Sequence, residues 1–144
     1  DIEMFRAPSI VENLVKRAHD NNVLVIMSNH DFAKTPPQAT IEQRLLTQDS
    51  LRADILKIAV MPTNKADVFT LMNATLAVSQ QTDKPLITMS MGQLGVISRV
   101  ATASVGGSMS FGMVGQASAP GQIEVSELKR LLNSVKPYPV VSDF

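Results

Sequence analysis

Lys57 is the residue of this sequence with the clearest chemical potential, because it lies inside an apolar run. The run reads Ile55-Leu56-Lys57-Ile58-Ala59-Val60-Met61-Pro62. A short apolar run that is rich in β-branched residues and closed by proline predicts a strand covered on both faces. Alternation along such a strand places Lys57 on one face with Ile55 and Ala59. The other face then carries Leu56, Ile58 and Val60.

An ammonium group in such a strand has two interpretations. An unpaired buried charge is costly, so a buried lysine tends to lose its proton. The neutral amine is a nucleophile, and its usual chemistry is a Schiff base with a carbonyl substrate. Alternatively, the side chain reaches the rim of the sheet or pairs with a carboxylate. This strand alone leaves both interpretations open.

Other polar residues follow predicted strands along the chain. His30 comes directly after one strand, Arg99 begins a helix just past another, and Ser118 and Gln122 lie beyond the last. In parallel α/β sheets, the loops at the carboxyl ends of the strands build the site. Each residue alone has an ordinary structural explanation, as a hydrogen-bonded histidine, a solvated arginine or a loop cap. Together they indicate a site at one end of a sheet.

The hydrophobic pattern alternates between strands and helices, which predicts a parallel sheet with right-handed crossovers. Ser9 and Glu12 have the spacing of a capping box, and Asn64 is a candidate cap for a later helix. Lys136-Pro137-Tyr138-Pro139 stops the last helix. The predicted strands are residues 1–5, 23–28, 55–61, 86–91 and 108–112. The predicted helices begin near residues 9, 35, 64, 96 and 125.

Composition limits the class of protein. The 144 residues are 44% hydrophobic with a formal net charge of zero, which gives no indication of nucleic-acid binding. The sequence has no cysteine, which excludes disulfides and thiolate metal sites. No apolar stretch is long enough to span a bilayer and no signal peptide is evident. We therefore expect a soluble cytoplasmic protein that does not bind membranes.

Five segments together resemble the type I 3-dehydroquinate dehydratases. They occur in the family's order with plausible gaps, and the resemblance runs from Asp1 to about Val135. It implies an α/β fold of the (β/α)8 TIM-barrel family, of which only about the last five β/α units are present. Residues 1–136 would form the carboxyl-terminal part of a single barrel domain, with residues 137–144 as a tail. The segments are Ser28-Asn29-His30-Asp31-Phe32, Lys57 to Pro62, Ile87-Thr88-Met89-Ser90-Met91, Gly95-Val96-Ile97-Ser98-Arg99 and Ala117-Ser118-Ala119-Pro120-Gly121-Gln122.

The resemblance also implies an activity, namely loss of water from 3-dehydroquinate to give 3-dehydroshikimate in the shikimate pathway. Lys57 would form the imine, His30 would be the general acid and base, and Arg99 would hold the substrate carboxylate. Ser118 and Gln122 would contact substrate hydroxyls from a closing loop, while Met89 and Phe111 would line the pocket. The resemblance implies no metal or organic cofactor. We also expect a homodimer, because an incomplete barrel exposes its sheet.

Two further hypotheses stand beside this one. A class I aldolase also uses a lysine imine in a barrel, although His30 and the motifs around Arg99 and Gln122 favour the dehydratase. The third hypothesis is a non-catalytic chain whose exposed sheet pairs with another chain.

The first three strands of a complete barrel lie outside these residues, and we expect that part to carry a glutamate that orients His30 and arginines that bind substrate.

Overall fold

A computed structural model describes residues 1–135 and gives a parallel sheet covered by helices. Its four strands pair in the order β1-β2-β3-β4, each parallel to the next. A 3₁₀ turn at Thr102–Val105 follows the fifth helix. The strands are β1 (Ile2–Glu3), β2 (Ile26–Asp31), β3 (Ile55–Val60) and β4 (Leu86–Ser90). The helices are α1 (Pro8–Asp20), α2 (Gln38–Ser50), α3 (Lys65–Ser79), α4 (Gly92–Gly95), α5 (Ser98–Ala101) and α6 (Val125–Ser134).

The main core lies between the sheet and helices α1, α2 and α3. Leu56, Ile58 and Val60 point into it from β3 and are fully buried. A smaller apolar cluster forms on the opposite face of the sheet, where Ala59 packs with side chains of β4 and with Ile55. The predicted alternation along β3 is therefore confirmed, and Lys57 lies on the face away from the helices.

Two strands differ from their predicted bounds. Strand β1 is limited to Ile2–Glu3, and β2 begins at Ile26, three residues later than predicted. The reason is that the Val23 N–H donates to the carbonyl of Ala18 over 2.9 Å, which holds the chain in the closing turn of α1. At its other end, β2 extends to Asp31 and contains His30 instead of ending before it.

The predicted fifth strand at residues 108–112 does not form. The segment makes one bridge, between Gly107 and Leu86, and the Ser108 N–H donates to the Leu86 carbonyl over 2.7 Å. Further along, the carbonyl of Phe111 accepts from the Arg99 guanidinium instead of from a neighbouring strand. The fifth position of the sheet is therefore marked only by contacts of Gly107 and Ser108 with Leu86.

The helix starts give a mixed result for the predicted caps. Asn64 caps α3 as expected, with Asp67 completing the capping box. The prediction for Ser9 is wrong, because α1 begins with Pro8 at its first position and has no side-chain cap. Proline suits that position, since its missing N–H would have no helical partner there. The predicted helix stop and tail at residues 136–144 lie outside the described residues.

Candidate active site

The pairing of β2 with β3 brings two reactive side chains onto one face of the sheet. Ser28 is aligned with Lys57, and His30 with Ala59. Paired residues of neighbouring strands share a face, so His30 and Lys57 project to the same side. They line a cavity of about 270 Å³ at the carboxyl end of the sheet. All seven site residues predicted from the sequence line this cavity: His30, Lys57, Met89, Arg99, Phe111, Ser118 and Gln122.

Lys57 is buried and is also paired with a carboxylate, so the structure shows features of both interpretations that the sequence left open for this lysine. Its side chain is 13% exposed, and Nζ lies 2.7 Å from a carboxylate oxygen of Asp1. Nζ also lies 5.0 Å from the centre of the Phe111 ring, within reach of a cation–π contact. Burial lowers the pKa of Lys57, while the negative charge of Glu3 opposes that shift. The amine is therefore nearer to its neutral, nucleophilic form than an exposed lysine would be.

His30 is held by two neighbours. Its Nδ1 atom lies 2.8 Å from Oε2 of Glu3, and its ring stacks on that of Phe32 at a centroid distance of 5.8 Å. A carboxylate can only accept a hydrogen bond, so Nδ1 carries the proton. In the neutral ring, Nε2 then holds the lone pair and can act as a base.

The acids Asp1 and Glu3 were missed in the sequence analysis. Asp1 contacts Lys57 and also accepts a hydrogen bond from Ser28, while Glu3 contacts His30. We expected a glutamate that orients His30 in the part of the barrel outside these residues, which stays a prediction, and the structure adds Glu3 as a carboxylate in contact with His30. The signal was available, since acids at alternate positions of a strand share one face. The predicted strand of five residues was too short for this alternation to be recognised.

Arg99 is almost completely buried, with 1% of its surface exposed. Its guanidinium donates to the carbonyls of Phe111 over 3.3 Å and of Pro120 over 3.0 Å. Within residues 1–135, no carboxylate lies at salt-bridge distance from it, and its Nε has no hydrogen-bond partner. Burial lowers the pKa of Arg99, but an arginine remains charged in proteins. A buried cation without an anion is suited to bind one.

The loop that carries Ser118 and Gln122 is folded onto the site. Oε1 of Gln122 accepts from the Ser118 N–H over 2.7 Å, and its Nε2 donates to the Ser118 hydroxyl over 3.0 Å. Gly121 has a φ of +73°, and an added Cβ would lie 2.4 Å from the carbonyl oxygen of Gly92. Only glycine permits this approach, which docks the loop against the start of α4.

Two classes of site receive no support in the described part of the chain. No group of three or more histidine, aspartate or glutamate side chains among residues 1–135 is arranged to hold a metal ion. None of the helices in this range is long and apolar enough to cross a membrane. The cavity is lined by an amine, an imidazole and a guanidinium, and the carboxylates of Asp1 and Glu3 contact the first two of these groups.

The fold and the site define a class of protein, an α/β chain with a parallel sheet in which a buried lysine lines a cavity at the carboxyl ends of the strands. Comparison with known proteins then gives the family. Residues 1–139 match the family described as type I 3-dehydroquinase, and the chain belongs to that family. The match favours the dehydratase over the class I aldolase considered from the sequence.

The similar proteins are longer than this chain. The catabolic 3-dehydroquinate dehydratase of Acinetobacter baylyi is 66% identical over 139 residues, which are 96% of this chain and 51% of that protein. A 3-dehydroquinate dehydratase of Listeria monocytogenes is 50% identical over 133 residues, 92% of this chain and 53% of that protein. The crystal structure of the type I enzyme from Clostridium difficile superimposes with a TM-score of 0.89 at 44% identity, covering 93% of this chain and 53% of the other. The chain thus spans about half the length of the relatives it matches, consistent with a partial barrel.

Proposed function

We propose that the protein containing these residues dehydrates 3-dehydroquinate to 3-dehydroshikimate through a Schiff base on Lys57, as a step of the shikimate pathway. The observation that carries the proposal is the cavity in which Lys57, His30 and Arg99 meet. The names of the relatives supply the substrate. The Clostridium difficile structure is described with covalent modified comenic acid, which supports covalent chemistry in this family.

In the proposed reaction, the neutral amine of Lys57 attacks the ketone carbon of the substrate. The carbonyl oxygen leaves as water, and the resulting iminium ion lies beside the Asp1 carboxylate, which stabilises its charge. The iminium withdraws electrons from the neighbouring carbon–hydrogen bond, and Nε2 of His30 removes that proton to give an enamine. His30 then returns the proton to the departing hydroxyl, which leaves as a second water. One water hydrolyses the product imine and restores Lys57, so one water is lost overall.

The other cavity residues bind the substrate in this proposal. Arg99 holds the substrate carboxylate, which supplies the anion that its buried guanidinium lacks among residues 1–135. Ser118 and Gln122 contact substrate hydroxyls once the loop is in place. Met89 and Phe111 form apolar walls, and Phe111 stacks over the amine end of Lys57. No metal or organic cofactor takes part.

We also propose the organisation of the whole protein. Residues 1–136 form the carboxyl-terminal part of one (β/α) barrel domain, with residues 137–144 as a tail, and the protein is a cytoplasmic homodimer. The absence of cysteine from the 144 residues is in keeping with a reducing compartment. Phe69 of α3 and Ile97 are neighbours in one groove and are 63% and 57% exposed, which supports an apolar interface.

Borohydride trapping tests the central step. The intact protein is incubated with 3-dehydroquinate, reduced with sodium borohydride, and analysed by intact mass and peptide mapping. We expect one stable adduct on Lys57, and none in Lys57→Met. Lys34→Met is the matched control and keeps the adduct. An adduct on Lys34 or Lys65 in place of Lys57 would refute the assignment.

A further inference from the structure

A chain of hydrogen bonds runs from helix α2 to the histidine of the site. The Arg44 guanidinium donates to Oδ1 of Asn29 over 2.9 Å. The side-chain amide of Asn29 donates to Oε1 of Glu3 over 3.3 Å. The second oxygen of the Glu3 carboxylate, Oε2, lies 2.8 Å from Nδ1 of His30. Three side chains thus connect the outer helix to the imidazole ring.

The order of donors and acceptors in this chain is fixed by its charged ends. A guanidinium has no acceptor, so Asn29 must turn its oxygen to Arg44 and its NH₂ group to Glu3. The two oxygens of Glu3 have different partners, so the carboxylate cannot rotate without losing one of them. Asn29 is 3% exposed within β2, which leaves its amide little freedom.

Arg44 is itself held from other directions. Its guanidinium lies 5.3 Å from the centre of the Phe5 ring, and Nη1 lies 3.6 Å from a carboxylate oxygen of Asp31. Its side chain is 22% exposed. Arg44 does not line the cavity and cannot touch a substrate there. Its effect on the reaction must pass through Asn29 and Glu3.

We propose that Arg44 and Asn29 are positioning residues for His30, because they hold the Glu3 carboxylate in the orientation that accepts the Nδ1 proton. They thereby keep the neutral ring in one tautomer, with the Nε2 lone pair available. The effect of Arg44 and Asn29 on catalysis rests on the proposed function, whereas their effect on the tautomer of His30 does not.

The tautomer can be read directly by NMR. The 144-residue sequence has two histidines, and the structure predicts opposite tautomers for them. Nε2 of His19 lies 2.9 Å from the Asp54 carboxylate, which makes it the protonated nitrogen, whereas in His30 it is Nδ1. Long-range ¹H–¹⁵N spectra of the intact labelled protein, taken where both rings are neutral, distinguish the two forms. Histidine variants assign the signals, and His19 serves as the internal reference.

Four variants make the experiment decisive. Glu3→Leu removes the acceptor and defines the mixture of tautomers that His30 adopts without it. We expect Arg44→Met and Asn29→Leu to shift His30 towards the same mixture while His19 stays unchanged. Arg17→Met changes an exposed arginine of α1 and leaves both rings as they were. In the Glu3→Leu background, Arg44→Met has no further effect.

The proposal would be overturned if the His30 tautomer were unchanged in Arg44→Met and Asn29→Leu. It would also be overturned if the tautomer were unchanged in Glu3→Leu. Equal changes at both histidines would show a general structural disturbance and would also count against it. In turnover, Arg44→Met lowers kcat by roughly 10- to 100-fold with little change in KM, as expected for a misplaced catalytic group. A tautomer shift without any Lys57 adduct would refute the proposed function and leave the positioning role standing.

Discussion

Replacing Gln48 with leucine tests whether α2 supports the backbone of the reactive lysine. Gln48 is fully buried, and its amide contacts both peptide groups of Lys57. Oε1 accepts from the Lys57 N–H over 2.9 Å, and Nε2 donates to the Lys57 carbonyl over 2.9 Å. Leucine has nearly the same size but no polar atom, so the variant deprives two buried groups of a partner.

The structure sets the scale of the effect. A buried polar group left unsatisfied costs about 1–3 kcal/mol, which gives roughly 2–6 kcal/mol for the pair. Burying leucine in place of the amide recovers up to about 2 kcal/mol. With that gain of about 2 kcal/mol subtracted, we expect Gln48→Leu to lower the free energy of unfolding by up to about 4 kcal/mol.

Urea denaturation followed by circular dichroism measures this difference. Gln43→Leu is the matched control, since it makes the same change at an exposed position of the same helix. We expect the control to stay within about 0.5 kcal/mol of the unmodified protein. If both variants had the same midpoint and slope, the contacts of Gln48 with Lys57 would contribute nothing to stability.

Two further predictions concern stability. Asn64→Ala removes the cap of α3 and lowers the free energy of unfolding by about 1 kcal/mol in a urea titration. Asn73→Ala is the control, because Asn73 lies at a solvent-exposed position in the middle of the same helix, and it has no destabilising effect. Hydrogen bonds from Thr82 and Lys84 lower the pKa of Asp49 below its ordinary value of 3.8, so its stabilising effect is full above pH 3.8 and is lost as the pH falls through the lower folded value. Asp49→Asn therefore lowers the thermal stability of the protein at neutral pH, and the loss becomes smaller below pH 3.8. Asp83→Asn, at an exposed position, is the control and has no such effect. A loss of stability that is the same at both pH values, or an equal loss in Asp83→Asn, would contradict this.

Long periodic elements could be predicted from the sequence, while short ones could not. Strand β3 was clear because apolar residues fill both of its faces, and α3 because Asn64 marks its start. Residues 108–112 have strand-like composition, yet one of their carbonyls is used by Arg99, a contact between distant parts of the chain. The bounds of β2 depended on the Val23 bond that closes α1, which leaves no clear local pattern.

The candidate site likewise contains some residues that could be predicted from the sequence and others that could not. The cavity-lining residues could be placed together because they follow successive strands and match family motifs. Glu3 and Arg44 could not, since their importance comes from contacts across strands and between a helix and the sheet. The sequence carries Asp1 and Glu3 in a run of five residues, too short for its period to be recognised.

The way in which Arg99 holds the loop has a consequence for how the site can diverge between relatives. Both of its loop partners are main-chain oxygens, at Phe111 and Pro120, which remain whatever side chain is present. Side chains of the loop other than the proposed substrate contacts Ser118 and Gln122 can therefore be exchanged during evolution while its attachment persists. Gly121 is the exception, because the main chain itself passes too close to Gly92 for any Cβ. A comparison of loop sequences should accordingly find variation around an invariant glycine and an invariant arginine.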